Sequence, residues 1–109
     1  MTKDIVIYMN KEDFLHKTDP RTYNCYWEMK RFPKNFSENN KIFIAMKGYV
    51  MGYVKCLAFN PTEEEAETLV WDGDSFVYIN SIPCKPFRGF RYRWFEYKIE
   101  HKKRQMGKK

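Results

Sequence analysis

Two short segments of this chain are apolar at every position. They are residues 5–9 (Ile5, Val6, Ile7, Tyr8, Met9) and residues 42–46 (Ile42, Phe43, Ile44, Ala45, Met46). Side chains alternate across a strand, so Ile5, Ile7 and Met9 share one face and Val6 and Tyr8 the other. With both faces apolar, Asp4–Met9 and Lys41–Met46 read as buried strands. A chain of 109 residues has room for one core and hence one domain. No apolar run approaches the roughly 18 residues of a membrane span. The run near the start is also too short for a signal peptide.

The remaining elements are set by local chemistry. Asn10, with Asp13 three residues on, is a helix-start pattern. A short helix over Lys11–Lys17 is predicted to pack Phe14 and Leu15 inward and to stop at Asp19-Pro20. Thr22–Lys30 is aromatic and extended. Phe32-Pro33-Lys34-Asn35 breaks regularity, and Ser37–Asn40 is a polar turn. Lys47-Gly48 closes a tight hairpin into a return strand, Tyr49–Phe59, in which Gly52 marks a bulge or a close backbone approach. Asn60-Pro61 ends that strand. Thr62–Glu67 is either one helical turn or an acidic loop. Thr68–Trp71 and Ser75–Ile79 flank Asp72-Gly73-Asp74, the strongest hairpin signal in the chain. Pro83 and Pro86 bracket a loop, and Arg91–Ile99 is the last regular element, with a bulge expected. The class is α+β and mostly β, with about five or six strands and one or two short helices, nearly closed on itself because open sheet edges are hazardous.

Charge is polarised rather than uniform. The net charge is +6, but the tail 101–109 carries five cations and no acid, which leaves +1 for residues 1–100. The tail reads as a basic, flexible end outside the single domain of residues 1–100. Residues 62–74 are acidic, with no Lys or Arg. Residues 85–93 hold Lys85, Arg88, Arg91 and Arg93 with no acid, and residues 21–34 hold Arg21, Lys30, Arg31 and Lys34 against Glu28 alone. If the two basic segments meet, they focus a positive potential that attracts anionic ligands.

The catalytic vocabulary is thin. His16 and His101 are far apart and lack neighbouring ligand-type residues, so no metal or other cofactor is indicated. No glycine-rich phosphate loop or nucleophile elbow is present. Cys25, Cys56 and Cys84 form no CxxC pair and read as buried, inert thiols of a protein in a reducing compartment, the cytoplasm. What stands out is basic residues interleaved with aromatics at Tyr23–Arg31 and Phe87–Trp94. This combination holds phosphates and stacks on unpaired bases. The same residues also have a purely structural reading, with the aromatics in the core and the arginines paired to Glu28 or Glu96.

The stretch Arg31-Phe32-Pro33-Lys34-Asn35, a polar turn, and then Lys41-Ile42-Phe43-Ile44-Ala45-Met46-Lys47-Gly48-Tyr49-Val50-Met51-Gly52-Tyr53 resembles the PUA-like superfamily. It is nearest the branch holding the ASCH (activating signal cointegrator homology) and EVE domains. Arg91-Tyr92-Arg93-Trp94-Phe95 looks like the closing strand of such proteins, and the resemblance spans roughly residues 22–97. It implies a small pseudo-barrel with a cleft beside a helix, and binding of RNA or modified bases. In some members it implies an amidohydrolase acting on acylated nucleosides. Those members carry a Gly-x-Lys-x-x-Thr motif that this chain lacks, so no catalytic residue is assigned.

The expected function is a nucleic-acid- or nucleotide-binding module. Trp27 or Tyr26 would stack on a base, while Lys30, Arg31, Arg88, Arg91 and Arg93 would hold phosphates or a base edge. The partner would be RNA, single-stranded nucleic acid or a modified nucleotide. Two alternatives are a small amidohydrolase using Lys30 or Lys47, and a protein–protein adaptor of phage or mobile-element origin. No membrane partner is expected.

Overall fold

The computed structural model describes residues 3–29, 33, 36, 40–60 and 67–100. Along the chain run β1 (Ile5–Tyr8), α1 (Lys11–Lys17), β2 (Cys25–Met29), β3 (Lys41–Met46), β4 (Tyr49–Lys55), β5 (Ala58–Asn60), β6 (Glu67–Trp71), a 3-10 turn (Gly73–Ser75), β7 (Val77–Pro83) and β8 (Phe90–Tyr92). The strands form a five-stranded sheet in the order β7-β4-β3-β1-β8 and a three-stranded sheet in the order β2-β6-β5. The strand count among the described residues is thus eight. It exceeds the expected five or six partly because the predicted Tyr49–Phe59 strand divides, β4 staying in the large sheet and β5 joining the small one.

The two apolar segments occupy the centre of the large sheet as a parallel pair, with Ile5 opposite Ile42 and Ile7 opposite Ile44. A parallel pair needs a crossover. Residues 9–40 supply it, and they carry α1 and β2 with them. The alternation read from β1 is realised side by side. Ile5, Ile7 and Met9 join Phe14, Cys25, Met29, Leu69 and Trp71 in one core cluster. Val6 and Tyr8 face a second cluster with Phe43, Val50, Ile79 and the C-terminal aromatics Phe95 and Tyr97. Full burial of each such side chain is worth about 1.5–3 kcal/mol. Trp71 is wholly buried because its indole N–H donates to the Lys17 carbonyl at 2.9 Å.

Local chemistry sets several boundaries. Asn10 caps α1 by accepting from the Asp13 amide at 2.7 Å. Only Phe14 of the helix is buried, whereas Leu15, expected inside, is 57% exposed. One residue on a helix is a rotation of about 100°, and a helix of two turns presents too narrow a face for both. Lys47 and Gly48 have φ of +50° and +88°, the left-handed pair that a two-residue hairpin demands. Met51 is the extra residue of a bulge, since Ile44 faces Gly52 while Ala45 faces Val50. Gly52 also lies so close to the next strand that a Cβ there would overlap the Val77 carbonyl oxygen and the Phe76 ring.

The Asp72-Gly73 hairpin does not form. β6 and β7 belong to different sheets, and the connection is a 3-10 turn. Gly73 lacks the positive φ of a hairpin turn. Its amide donates to the Thr22 carbonyl at 2.8 Å, and Asp72 Oδ1 accepts from the Asn24 amide at 2.9 Å. These long-range bonds hold the turn against the chain leaving α1 and send β7 into the other sheet.

The predicted Arg91–Ile99 strand is also shortened. Pairing ends at Tyr92, and the chain returns to the sheet at the Ile79–Ile99 bridge. The Thr62–Glu67 alternatives lie outside the described residues, apart from Glu67, which opens β6. The tail 101–109 lies outside them as well.

Candidate nucleotide-binding cleft

On β2 the side chains alternate. Cys25 and Met29 are buried and Trp27 half-buried, while Tyr26 and Glu28 are exposed. At the far edge of the large sheet, β8 places Phe90 and Tyr92 against the same core cluster that Trp27 touches, leaving Arg91 exposed on the other face. The preceding loop is anchored by the Cys84 amide, which donates to the Gly48 carbonyl at 2.8 Å. The Phe87 ring meets Tyr8 edge-on at 5.7 Å, and the Arg91 guanidinium lies 5.2 Å above Phe87.

These elements enclose a cleft of about 730 Å³. Trp27, Glu28 and Met29 of β2 line it from one sheet. Residues 87–92 line it from the other, together with Tyr8 at the end of β1. Trp27–Met29 of the first segment thus meets Phe87–Tyr92 of the second, although about sixty residues separate them in sequence. A cleft of this size falls within the range of small-molecule sites, roughly 300–1,000 Å³.

The residues singled out in the sequence have different placements. Trp27, Arg88 and Arg91 line the cleft. Tyr26 points away from it, and the Lys17 ammonium sits 4.8 Å from its ring while donating to its carbonyl at 2.6 Å. Arg93 also lies elsewhere, with its guanidinium 5.9 Å from Phe43 and 5.6 Å from Tyr97. It donates to the Phe95 carbonyl at 2.7 Å and approaches Asp4 at 3.5 Å. Lys30 and Arg31 lie outside the described residues. Lys47 sits at the hairpin tip and does not line the cleft.

Sequence reasoning did not single out Tyr8 or Glu28 for the site. Tyr8 reads as core from its strand pattern, and its hydroxyl does accept the Gly48 amide at 2.6 Å. Glu28 reads as a partner for a nearby arginine. Among the described residues, however, neither Glu28 nor Arg88 forms an ion pair. Lys3 adds a further cation beside the cleft, 5.6 Å from the Tyr92 ring.

All three thiols are buried and unbridged. Burial pushes the Cys84 thiol up from its ordinary range, with Arg91 pulling weakly the other way. Burial does the same to Cys25, there opposed by Lys17. Among the described residues no group of three or more His, Cys, Asp or Glu side chains is placed to hold a metal ion. No described helix is long and apolar enough to cross a membrane.

Two sheets, with a helix in the crossover between the parallel strands, make an ASCH-like fold, by likeness to a solved structure. One solved structure that the chain is similar to is the crystal structure of a mutant ZmASCH protein from Zymomonas mobilis. The likeness has a TM-score of 0.59, covers 97% of each chain and carries 10% sequence identity. At that identity the likeness is one of fold. No family model matches the sequence, and no curated protein matches it.

Proposed function

We propose that the cleft binds a nucleotide, either free or within single-stranded nucleic acid. Trp27 stacks on the base, and Arg88 and Arg91 hold phosphate. The observation that carries this reading is the meeting of Trp27 with Arg88 and Arg91 around one cavity. Aromatic stacking contributes about 1–3 kcal/mol per base. An arginine fork matches phosphate oxygens in a bidentate way. A PUA-like fold is consistent with such a role, although the fold alone does not assign it. Lys30 and Arg31 follow directly after the cleft-lining Met29 in sequence and belong to the same proposal as phosphate contacts.

The test is a binding titration with short single-stranded RNA over a range of salt concentrations. Affinity is expected to fall steeply with salt, by roughly 0.7 log units per tenfold salt for each phosphate contacted. The double variant Arg88→Ala/Arg91→Ala is expected to lower both the affinity and that slope. Trp27→Leu is expected to weaken binding at all salt concentrations. Absence of binding, or binding indifferent to all three substitutions, overturns the proposal.

A further inference from the structure

Trp27, Arg88 and Arg91 serve one nucleotide, and one end of the cleft lies beyond them. Alternation on β8 turns Phe90 and Tyr92 to the side of Ile5 and Ile7, the side on which Trp27 packs, and all three aromatic residues line the cleft. Phe90 meets Tyr92 edge-on at 5.5 Å. Tyr92 lies opposite Ile5, at the start of β1, whereas Phe87 meets Tyr8 at its finish. Along the strand these two ends of the cleft are about 10 Å apart, at roughly 3.3 Å per residue.

A cation stands at each end. Arg88 precedes Phe90, which lies opposite Ile7, and so belongs to the Tyr8 end. At the Ile5 end, the Lys3 ammonium lies 5.6 Å from the centre of the Tyr92 ring. Lys3 is exposed, and among the described residues it has no acidic partner. An exposed contact between an ammonium and an aromatic face is weaker than a base stacked on the same ring. A phosphate at this end therefore draws the ammonium off the ring, and a base takes the face it leaves. One phosphate is too small to touch both ends, whereas successive phosphates of a strand reach both. We infer that the cleft takes at least two consecutive nucleotides of a single strand. The first stacks on Trp27 with its phosphate at Arg88, and the next stacks on Tyr92 with its phosphate at Lys3. This rests on the nucleotide-binding reading above and chooses the strand over the free nucleotide.

The experiment is an NMR shift titration with 5′-UMP and with 5′-phosphorylated oligouridylates of two, three and four nucleotides, which stack little on themselves. A second stacked base adds about tenfold in affinity. The dinucleotide is expected to bind about tenfold more tightly than UMP, with less than about threefold for each nucleotide added after it. Lys3→Gln is expected to reduce the dinucleotide gain to within about threefold and to lower its salt slope by about 0.7. Lys3→Arg is expected to keep the gain, and Tyr92→Leu to lose it. Lys3 lies at the surface, so its variants remain informative if Tyr92→Leu fails to fold. Equal affinity for UMP and the dinucleotide, or a gain unchanged in Lys3→Gln, overturns the second nucleotide position and leaves nucleotide binding standing. No binding of UMP or of any oligouridylate overturns both.

Discussion

Arg93 and Asp4 are joined twice. The Arg93 amide donates to the Asp4 carbonyl at 3.0 Å, and its guanidinium Nε lies 3.5 Å from Asp4 Oδ2. Asp4 in turn accepts from the Lys41 amide at 2.9 Å and from the Asn40 side chain at 3.1 Å. One carboxylate thus ties the starts of β1 and β3 to the segment that follows β8. Arg93 also donates to the Phe95 carbonyl, beside Phe95 and Tyr97 in the second core cluster. It acts as a structural arginine, two residues from one that lines the cleft.

That division separates stability from binding. Arg93→Ala is expected to cost about 1–3 kcal/mol of stability, the scale for hydrogen bonds to charged groups. Arg93→Lys does not restore it, because a single ammonium lacks the planar fork that serves two acceptors. Arg88→Ala, at an exposed site with no ion pair to a described residue, is expected to change stability by less than about 0.5 kcal/mol. Denaturant midpoints of the three variants check the contrast. An Arg93→Ala protein as stable as wild type would remove the structural role.

The two glycines around the β3–β4 hairpin are expected to respond differently. Gly52→Ala drives a methyl group into the Val77 carbonyl and the Phe76 ring, and a loss above about 3 kcal/mol or failure to fold is expected. Gly48→Ala meets no atom, and costs only about 1–2 kcal/mol for its left-handed backbone. Thermal unfolding of both variants measures the difference. Similar losses would contradict the close approach at Gly52.

Asp19 and Arg21 give a pH signature. The Arg21 guanidinium and amide both donate to the Asp19 carboxylate, lowering its pKa from 3.8 to about 2. A folded-state pKa below the unfolded value stabilises the fold fully above about 3.8, and the contribution is lost as pH falls toward about 2. Arg21→Gln is expected to return the Asp19 titration, followed by carboxyl NMR shifts, toward 3.8. A titration unchanged by that variant would dismiss the pairing.

The thiols are expected to be sluggish. The thiolate is the reactive form, and burial raises the pKa of Cys25 and Cys84. Alkylation by iodoacetamide near neutral pH should run far slower in the native protein than in denaturant. A fast native reaction at Cys84 would mean that Arg91 outweighs burial at that thiol.

Much of this protein is readable from local sequence. The two-faced apolar runs specify central strands covered on both sides, because strand alternation admits no other placement for Ile5–Met9. Asn10 and Asp19-Pro20 delimit α1, and Lys47-Gly48 sets a hairpin, since each acts through bonds within a few residues. Tertiary structure decided the rest. It turned Asp72-Gly73 from a hairpin into a pinned 3-10 turn through bonds to Thr22 and Asn24, far along the chain. It brought Trp27 to Arg88 and Arg91, which no spacing encodes. It also assigned Arg91 to the cleft and Arg93 to Asp4, although alternation puts both on one face. Periodicity says which residues share a face, but what lies opposite that face depends on how the two sheets meet, a property of the whole chain.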